Sequence, residues 1–400
     1  MIDMTDPIPF HVPTIGEEEI AEVVATLRSG WLTTGPRTHQ FQAEFEAYTG
    51  AKHALAVNSA TAAMHLALAG LRIGPGDEVI TSALTFCATV NCIIHVGATP
   101  VLADIGADGN IDPESIKQRI TPRTKAILPV HYGGAPCDMD AIWSLARTHN
   151  LKVVEDAAHA VGTHYRGEHL GSAQGSKSDV VAFSFYATKN LTTGEGGMAT
   201  TNDTELFEVM RRLALHGINK DAWNRYAANG KWFYSVEEPG FKYNLTDIAS
   251  AIGIHQLRKI ERFTARRAAL ANLYNRLFSN DEEVERPTDA VSGRHAWHLY
   301  GIRLNLDRLT ITRDAFIEEL RQRGIGVSVH FIPIQMHPFY APWASLPEQQ
   351  CPRSLELFER IISLPLHPGL SDQDVNRVVT AVKQVIASNL NQSHASGAAA

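Results

Sequence analysis

Six short apolar segments, separated by stretches of helical periodicity, constrain the fold of this chain more than any other feature. The segments span residues 53–57, 78–82, 99–105, 126–131, 152–156 and 180–185. Strands that alternate with helices in this way form a mostly parallel sheet covered by helices on both faces. The sequence therefore predicts an α/β fold with one large sheet. The length of 400 residues also predicts a second, smaller domain, because one hydrophobic core rarely grows that large.

A lysine follows the last of these predicted strands. Lys189 lies in the segment 184–197, directly after the apolar run 180–185. A lysine amine becomes a carbonyl nucleophile only when burial or a neighbouring cation lowers its pKa. The position therefore suggests a Schiff base to pyridoxal phosphate. Most lysines in turns are solvated surface residues, so this interpretation depends on partners elsewhere in the chain.

Asp156 is the first such partner, because it closes the apolar run 152–156. A buried parallel strand can deliver a carboxylate to its carboxyl end in this way. Pyridoxal phosphate accepts electrons only while its ring nitrogen is protonated, and a carboxylate against that nitrogen keeps the proton there. The alternative is that Glu155 and Asp156 cap the next helix, since aspartate is preferred at helix starts.

Two further strand ends carry groups that suit a phosphorylated ring. Residues 58–61 (Asn-Ser-Ala-Thr) open a helix that runs to about Leu71, and the free N–H groups of a helix start attract a phosphate. Ser184 could add a hydroxyl there, although Ser59 could equally be an ordinary helix cap. Phe86 follows the run 78–82 and could stack on the ring, although phenylalanine at such a position more often belongs to the core.

The conjunction of these strand ends is more informative than any one of them. In an open α/β sheet, ligands bind beyond the carboxyl ends of the strands. Here a helix start, an aromatic ring, a carboxylate and a lysine each follow such an end. The sequence therefore predicts a cofactor site at one edge of the sheet.

The chain also resembles the DegT/DnrJ family of sugar aminotransferases over nearly its whole length. The segments that carry this resemblance are 29–36 (SGWLTTGP), 53–71, 97–101 (GATPV), 129–134 (PVHYGG), 155–159 (EDAAH), 184–197 and 239–247 (PGFKYNLTD). The resemblance implies a pyridoxal-phosphate-dependent transferase of fold type I. Two positions depart from the family pattern: Tyr186 stands where histidine is common, and Lys-Tyr-Asn at 242–244 replaces Asn-Tyr-Arg.

The family pattern implies a role for each candidate residue. Lys189 would form the Schiff base and move the proton. The cofactor contacts that the resemblance implies are Asp156 at the ring nitrogen, His159 near the phenolic oxygen, Phe86 on the ring face, and Ala60, Thr61 and Ser184 at the phosphate. The residue matching Asn244 reaches the phosphate from the neighbouring subunit, so the resemblance implies a homodimer with shared active sites.

Within the family, the chain most resembles enzymes that aminate carbon 4 of a UDP-linked 4-keto sugar, particularly the UDP-4-amino-4-deoxy-L-arabinose aminotransferases. The segments with this likeness are 215–217, 221–223, 239–246, 295–299 and 329–331. L-Glutamate is the implied amino donor, and lipopolysaccharide or another glycan is the implied destination of the product. Three alternatives stay open: amination at carbon 3, dehydration by a lyase, and a non-catalytic regulator that binds pyridoxal phosphate. Lyases of this family have histidine in place of Lys189, and the sequence shows neither an appended DNA-binding domain nor a basic patch, which disfavours the regulator. Glu195 and His330 are candidate sugar contacts, and a core or surface role is as reasonable for each.

Composition restricts the remaining classes of function. A net charge of -7 argues against non-specific nucleic-acid binding. The four cysteines have no metal-ligand spacing and suit a reducing cytoplasm. The sequence shows neither an export signal nor an apolar run long enough to span a membrane. We therefore expect a cytoplasmic enzyme that uses no metal, acts on small molecules, and binds no membrane.

The predicted domain organisation has four parts. They are an N-terminal arm (1–15), a large cofactor domain (16–250), a linking helix with a small C-terminal domain (251–387) and a disordered tail (388–400). Residues 198–240 have an irregular pattern typical of a functional loop. Residues 246–278 have a helical pattern with a break. In the C-terminal part, 298–304 and 327–331 resemble strands, and 312–323 and 371–387 resemble helices.

Overall fold

A computed structural model of the protein describes residues 7–219, 234–288, 293–341 and 350–391. Its helices are α1 (Glu17–Ser29), α2 (Pro36–Thr49), α3 (Ala60–Gly70), α4 (Cys87–His95), α5 (Pro113–Arg119), α6 (Met139–His149), α7 (Thr204–Leu213), α8 (Asp247–Leu277), α9 (Arg313–Gln322), α10 (Pro352–Arg360) and α11 (Asp372–Ser388). Its strands are β1 (His53–Val57), β2 (Glu78–Ser82), β3 (Thr99–Ala103), β4 (Thr124–Leu128), β5 (Lys152–Asp156), β6 (His164–Tyr165), β7 (Glu168–His169), β8 (Val180–Ser184), β9 (Gly197–Thr201), β10 (Val284–Glu285), β11 (Gly293–Arg294), β12 (Tyr300–Leu304) and β13 (Ile361–Leu364).

Seven strands form the central sheet, in the order β1-β9-β8-β5-β4-β2-β3. Strands β3, β2, β4, β5 and β8 pair in parallel, whereas β9 runs antiparallel to both β8 and β1. Strand β1 therefore points the same way as β8. This arrangement confirms the predicted fold class and brings the carboxyl ends of β1, β2, β5 and β8 to one edge of the sheet.

Helices cover the sheet on both faces because successive strand residues point to opposite sides. In β1, Ala54 and Ala56 join one core, which contains Phe41 and Phe45 of α2. Leu55 and Val57 join the opposite core, which is formed with α3, α4 and α7. The near-continuous apolar character of the strands, visible in the sequence, follows from burial on both faces.

A second group of elements surrounds the antiparallel sheet β10-β12-β13. Its core contains residues of α9 and α11 and the second half of α8. Helix α8 runs for 31 residues without the predicted break, and its first half packs in the core of the large sheet. Gly253 lies inside this helix and allows close packing, since an added Cβ there would lie 2.7 Å from the Phe41 ring. The predicted domain boundary at 250 and 251 stays a prediction.

Two expectations for irregular and strand segments differ from the structure. The segment 198–240 contains the buried strand β9 and the amphipathic helix α7, whose N-cap Asp203 accepts bonds from the N–H groups of Glu205 and Leu206. Residues 327–331 contribute one bridge, between Ser328 and Ser363, rather than a strand. The His330 carbonyl accepts a hydrogen bond from the Tyr132 hydroxyl (2.6 Å), so this backbone group is satisfied outside a ladder.

Both ends of the described part of the chain pack near the C-terminal sheet. In the predicted arm, Ile8 pairs with Ile325 and lies in the core of this region. The predicted tail begins at 388, but Leu390 still bridges to Leu309, and residues 392–400 lie outside the described part of the chain. The segment 221–223 lies outside it as well. Across the described ranges, none of the helices is both long and apolar enough to span a membrane.

Candidate active site

A cavity of about 540 Å³ lies at the sheet edge where β1, β2, β5 and β8 end. Its volume falls within the range of about 300–1,000 Å³ that is usual for small-molecule sites. Nine of the ten candidate residues line it, and they are Ala60, Thr61, Phe86, Asp156, His159, Ser184, Lys189, Glu195 and His330. The tenth, Asn244, lies outside this cavity. The structure therefore brings together side chains that are separated by up to 270 positions in the sequence.

Lys189 and Asp156 share this cavity. Burial lowers the pKa of Lys189 from 10.5 to about 8, and the nearby Asp156 opposes that change. A larger share of the Lys189 amine is therefore neutral near pH 8 than in an ordinary lysine. This is the condition that a carbonyl nucleophile requires.

Asp156 is held by hydrogen bonds at both carboxylate oxygens. One oxygen accepts from the Thr89 hydroxyl (2.8 Å), and the other accepts from the Ala158 N–H (3.0 Å). Thr89 is held in turn by Thr85, at 2.7 Å between the two hydroxyl oxygens. Burial raises the pKa of Asp156, while the bonds from Thr89 and Ala158 and the charge of Lys189 oppose that rise. Asp156 ends β5 and does not cap a following helix.

His159 lines the cavity, and one of its ring nitrogens has no hydrogen-bond partner among the described residues. Its side chain is buried, and its Nδ1 atom is the unpaired nitrogen. The ring stacks on Phe331, with 5.5 Å between centroids and an interplanar angle of 19°. Burial, with smaller effects from Lys189 and His330, lowers the pKa of His159 well below its usual value. A neutral imidazole with an unpaired nitrogen suits a bond to a ligand oxygen.

The start of α3 provides the predicted phosphate position. Ser59 is its N-cap and accepts a bond from the Ala62 N–H (3.1 Å), whereas the N–H groups of Ala60 and Thr61 have no partner within the helix. Gly197 lets this backbone approach β9, since an added Cβ would lie 2.5 Å from the carbonyl carbon of Ser59. Ser184, at the end of β8, lies on the same cavity. These residues fit a bound phosphate.

Phe86 is a rim residue rather than part of the core, because 60 % of its surface is exposed. It is the residue before α4 and lies 6.2 Å from Phe331, centroid to centroid. Glu195 is also exposed, whereas His330 is half-buried and bonds Ser363 through Nδ1 at 2.9 Å. Tyr186, the departure from the family pattern, lines the cavity with 47 % of its surface exposed.

Asn244 lies beside the end of β1 but does not line the main cavity. Its backbone bridges to Val57, and its side-chain amide donates to the Thr34 hydroxyl (2.6 Å). It lines a different, smaller cavity together with Thr34 and Asn219. Asn244 therefore does not contact the main cavity of its own chain, although it lies close to the helix start that forms it.

Sequence reasoning missed several residues of the cavity wall. The most important is Thr89, which orients Asp156 from the first turn of α4, a helix that the sequence reading did not include. Phe10 reaches the cavity from the N-terminal arm and stacks on His330 at 5.6 Å, and His298 reaches it from the loop before β12. His298 lies in a segment that the family resemblance had already marked. No local signal identified Phe10.

The lowered pKa of Lys189 predicts a specific pH dependence. We expect the rate at which cofactor-free protein captures pyridoxal phosphate to rise from pH 6.5 and level off above about pH 8. The sign follows because only the neutral amine attacks, and a lowered pKa moves its formation to lower pH. Stopped-flow absorbance measures this rate, with Nα-acetyl-lysine as a control of ordinary pKa. A rate that still climbs between pH 9 and 10, as for the control, would contradict the assignment.

Comparisons with known proteins identify the family of this chain. Residues 13–383 match the family described as DegT/DnrJ/EryC1/StrS aminotransferases. The spore coat polysaccharide biosynthesis protein SpsC of Bacillus subtilis is 50% identical over 381 residues, which cover 95% of this chain and 97% of SpsC. The structure of Spr1654 from Streptococcus pneumoniae in its PLP form has a TM-score of 0.87 and 35% identity, covering 96% of this chain and 99% of Spr1654. The structure of Helicobacter pylori PseC, an aminotransferase involved in the biosynthesis of pseudoaminic acid, has a TM-score of 0.87 and 30% identity. The match covers 96% of this chain and 100% of PseC.

Proposed function

This chain belongs to the DegT/DnrJ/EryC1/StrS aminotransferase family, and from that premise we propose that it moves the amino group of L-glutamate to carbon 4 of a UDP-linked 4-keto sugar. The protein is a pyridoxal-phosphate-dependent sugar aminotransferase. In the proposed reaction the products are a 4-amino sugar nucleotide and 2-oxoglutarate. The observation that carries the proposal is that Lys189, Asp156 and the start of α3 line one cavity.

Each candidate cofactor residue in this cavity has a definite task in the proposal. Bound pyridoxal phosphate supplies an aldehyde that takes up amines and a ring that accepts electrons from a carbon–hydrogen bond. Asp156 would hold a proton at the ring nitrogen, and Thr89 holds Asp156 in place. His159 would bond the phenolic oxygen. Ala60, Thr61 and Ser184 would bind the phosphate, and Phe86 would cover the ring from the rim.

Lys189 is the proposed proton carrier in both half-reactions. Its Nζ would accept a proton from the α-carbon of glutamate in the first half-reaction, and it would supply a proton to carbon 4 of the sugar in the second. A pKa of about 8 suits this task, because general acid–base catalysis is most effective near the working pH. The two substrates use one cavity in turn, so the proposal includes ping-pong kinetics.

The sugar substrate is the finer part of the proposal. Glu195 and His330 line the cavity and are the proposed sugar contacts. Carbon 4 and UDP are supported by the sequence likeness of segments such as 295–299 and 329–331. The His298 and Phe331 rings pack near His159, at 4.3 and 5.5 Å between centroids, and both residues line the cavity. Amination at carbon 3 is the alternative within the same chemistry, and Lys189 disfavours the lyase alternative.

The proposal also includes a homodimer in the cytoplasm. Asn244 lies outside its own cavity but beside the α3 start, a position from which it could serve the phosphate of the neighbouring subunit. Equal mixtures of co-expressed Lys189→Ala and Asn244→Ala chains should then regain activity in hybrid dimers, and no regain would contradict shared sites. A cytoplasmic location is supported by the four cysteines, all described, none of which forms a disulfide. Detection of the protein outside the cytoplasm by cell fractionation would contradict it.

A substrate screen tests the proposed function. Purified holoenzyme is incubated with L-glutamate and, in separate reactions, with UDP-, dTDP- and GDP-linked 4-keto sugars and a 3-keto sugar. We expect 2-oxoglutarate release with the UDP-linked 4-keto sugar, and an amine at carbon 4 by NMR. Preference for another nucleotide would contradict the proposed UDP link, and an amine at carbon 3 would contradict the proposed carbon-4 position. Failure of glutamate to release 2-oxoglutarate in the absence of any sugar would contradict the proposed donor.

A further inference from the structure

Three basic side chains meet behind the active-site cavity, between the N-terminal arm, α8 and the loop that precedes α11. They are His11, Arg267 and His367. The His11 and His367 rings lie 5.8 Å apart, and both rings are close enough to Arg267 to respond to its charge. Arg267 has 1 % of its surface exposed, and His367 has 5 %. The family resemblance and the proposed reaction assign no role to this cluster.

Four nitrogens of the cluster have no hydrogen-bond partner among the described residues. They are Arg267 Nε, His11 Nε2, and both ring nitrogens of His367. Buried polar groups normally have partners, so each such group requires an explanation. Arg267 bonds the carbonyl oxygens of Trp297, His298 and Leu366 through Nη1 alone, which leaves its Nε–H without an acceptor.

The cluster also has an uncompensated positive charge. Burial lowers the pKa of Arg267 to about 9, and no described carboxylate offsets that effect, so the guanidinium is still charged at neutral pH. Asp374 is the one carboxylate that affects His367, but its Oδ2 atom already accepts bonds from the N–H and hydroxyl of Ser371. A buried cation without a counter-charge is unfavourable, and water supplies hydrogen bonds but no charge.

From this arrangement we propose that Arg267, His367 and His11 form a binding site for one small anion. The chemical class is a halide or a compact oxyanion, which accepts hydrogen bonds from several sides and neutralises the guanidinium. A cavity of about 430 Å³ between the arm residues 7–15 and α11 adjoins this cluster and has His367, Asp374 and Arg377 in its wall. The site goes beyond the proposed function, because it uses none of the residues assigned to the reaction.

Occupancy of this site bears on the arm that lines the active site. His11 lies close to the Ala187 backbone, two residues before Lys189, and its neighbour Phe10 lines the main cavity. An anion that bonds His11 therefore fixes the arm beside the reacting lysine.

Anion binding at this site should be coupled to proton uptake. Burial with Arg267 and His367 lowers the pKa of His11 to about 3, and burial with Arg267 lowers that of His367 to about 4. The groups that face His11 are Arg267, His367 and Lys189, and those that face His367 are Arg267 and Asp374. An anion raises both imidazole pKa values, so its affinity should increase as the pH falls, by up to about tenfold per pH unit for each proton taken up.

Bromide is the probe for the test, with intact holoenzyme as the sample. We expect crystals soaked in sodium bromide to show an anomalous density peak within hydrogen-bond distance of Arg267 Nε and the His367 ring. In solution, the melting temperature should rise saturably with bromide, with a tighter apparent affinity at pH 6 than at pH 8.

Two variants control this measurement. His367→Leu should weaken the apparent bromide affinity at least tenfold. His65→Leu is the matched control, because His65 has 6 % of its surface exposed but has a partner in the Tyr243 hydroxyl, so its bromide response should equal that of the wild type. Both variants are measured at the same concentrations of the same salts, so non-specific electrostatic screening affects both equally. Water density alone at Arg267 Nε, or an equal response of His367→Leu and wild type, would overturn the proposal.

Discussion

Replacement of Lys189 by alanine is expected to abolish turnover with glutamate and keto sugar, with a loss of at least about 10⁴-fold in kcat. The loss is large because one amine acts both as the nucleophile toward the cofactor aldehyde and as the proton carrier. The fold should persist, since the Lys189 amine forms no hydrogen bond or ion pair with another described residue and is already disfavoured as a buried cation. Release of 2-oxoglutarate measures turnover, and the melting temperature reports folding.

Two further variants make this prediction specific. Lys189→Arg keeps the positive charge but cannot give up its proton near neutral pH, so it should be as inactive as Lys189→Ala. Lys177→Ala should retain wild-type turnover, because Lys177 lies over the Trp143 ring and does not line the cavity. Turnover of Lys189→Ala within tenfold of the wild type would refute the proposed role.

Replacement of Asp156 by asparagine is expected to reduce kcat by about 10²–10³-fold, with little change in the KM for glutamate. The amide is nearly isosteric but carries no charge, so it cannot keep a proton on the ring nitrogen, and the loss of one preorganised electrostatic group is typically of this size. The reduced rate should appear in single-turnover release of 2-oxoglutarate by glutamate alone, which needs no sugar.

Two further variants, at Thr89 and Asp203, serve as controls for Asp156→Asn, with an intermediate loss of activity expected for the first and no loss for the second. Thr89→Val removes one hydrogen bond to the carboxylate and should reduce kcat by roughly tenfold to a hundredfold, in line with the strength of bonds to charged groups. Asp203→Asn changes an aspartate that caps α7 away from the cavity, and asparagine is an equally good cap, so activity and stability should not change. An Asp156→Asn enzyme as active as the Asp203→Asn enzyme would contradict the role of Asp156.

Local sequence patterns predicted most of the central sheet. Strands β1, β2 and β5 have the predicted bounds, and β8 differs by one residue, because strands buried on both faces are apolar throughout and contrast with their polar flanks. Strand β9 was missed because its sequence, Gly-Met-Ala-Thr-Thr, has no apolar run. Its place between β1 and β8 depends on pairing with both neighbours, which no local pattern records.

The family, the cofactor and the class of enzyme also followed from the sequence, and the comparisons confirm them. Each segment at a strand end is contiguous in the chain, so the catalytic residue types that it carries could be recognised from the sequence. Lys189 and Asp156 were both named from this pattern. Their roles stay predictions until the variants described above are measured.

The tertiary structure decided which distant groups complete the site. Thr89, Phe10 and His298 reach the cavity from α4, the arm and the loop before β12, and their sequence neighbourhoods differ little from ordinary helix and loop segments. The burial that lowers the pKa of Lys189 also depends on those distant segments. The residue types at the strand ends are thus determined by the sequence alone. Their distances, partners and protonation depend on long-range packing, because hydrogen bonds and desolvation arise only where segments far apart in the chain come into contact.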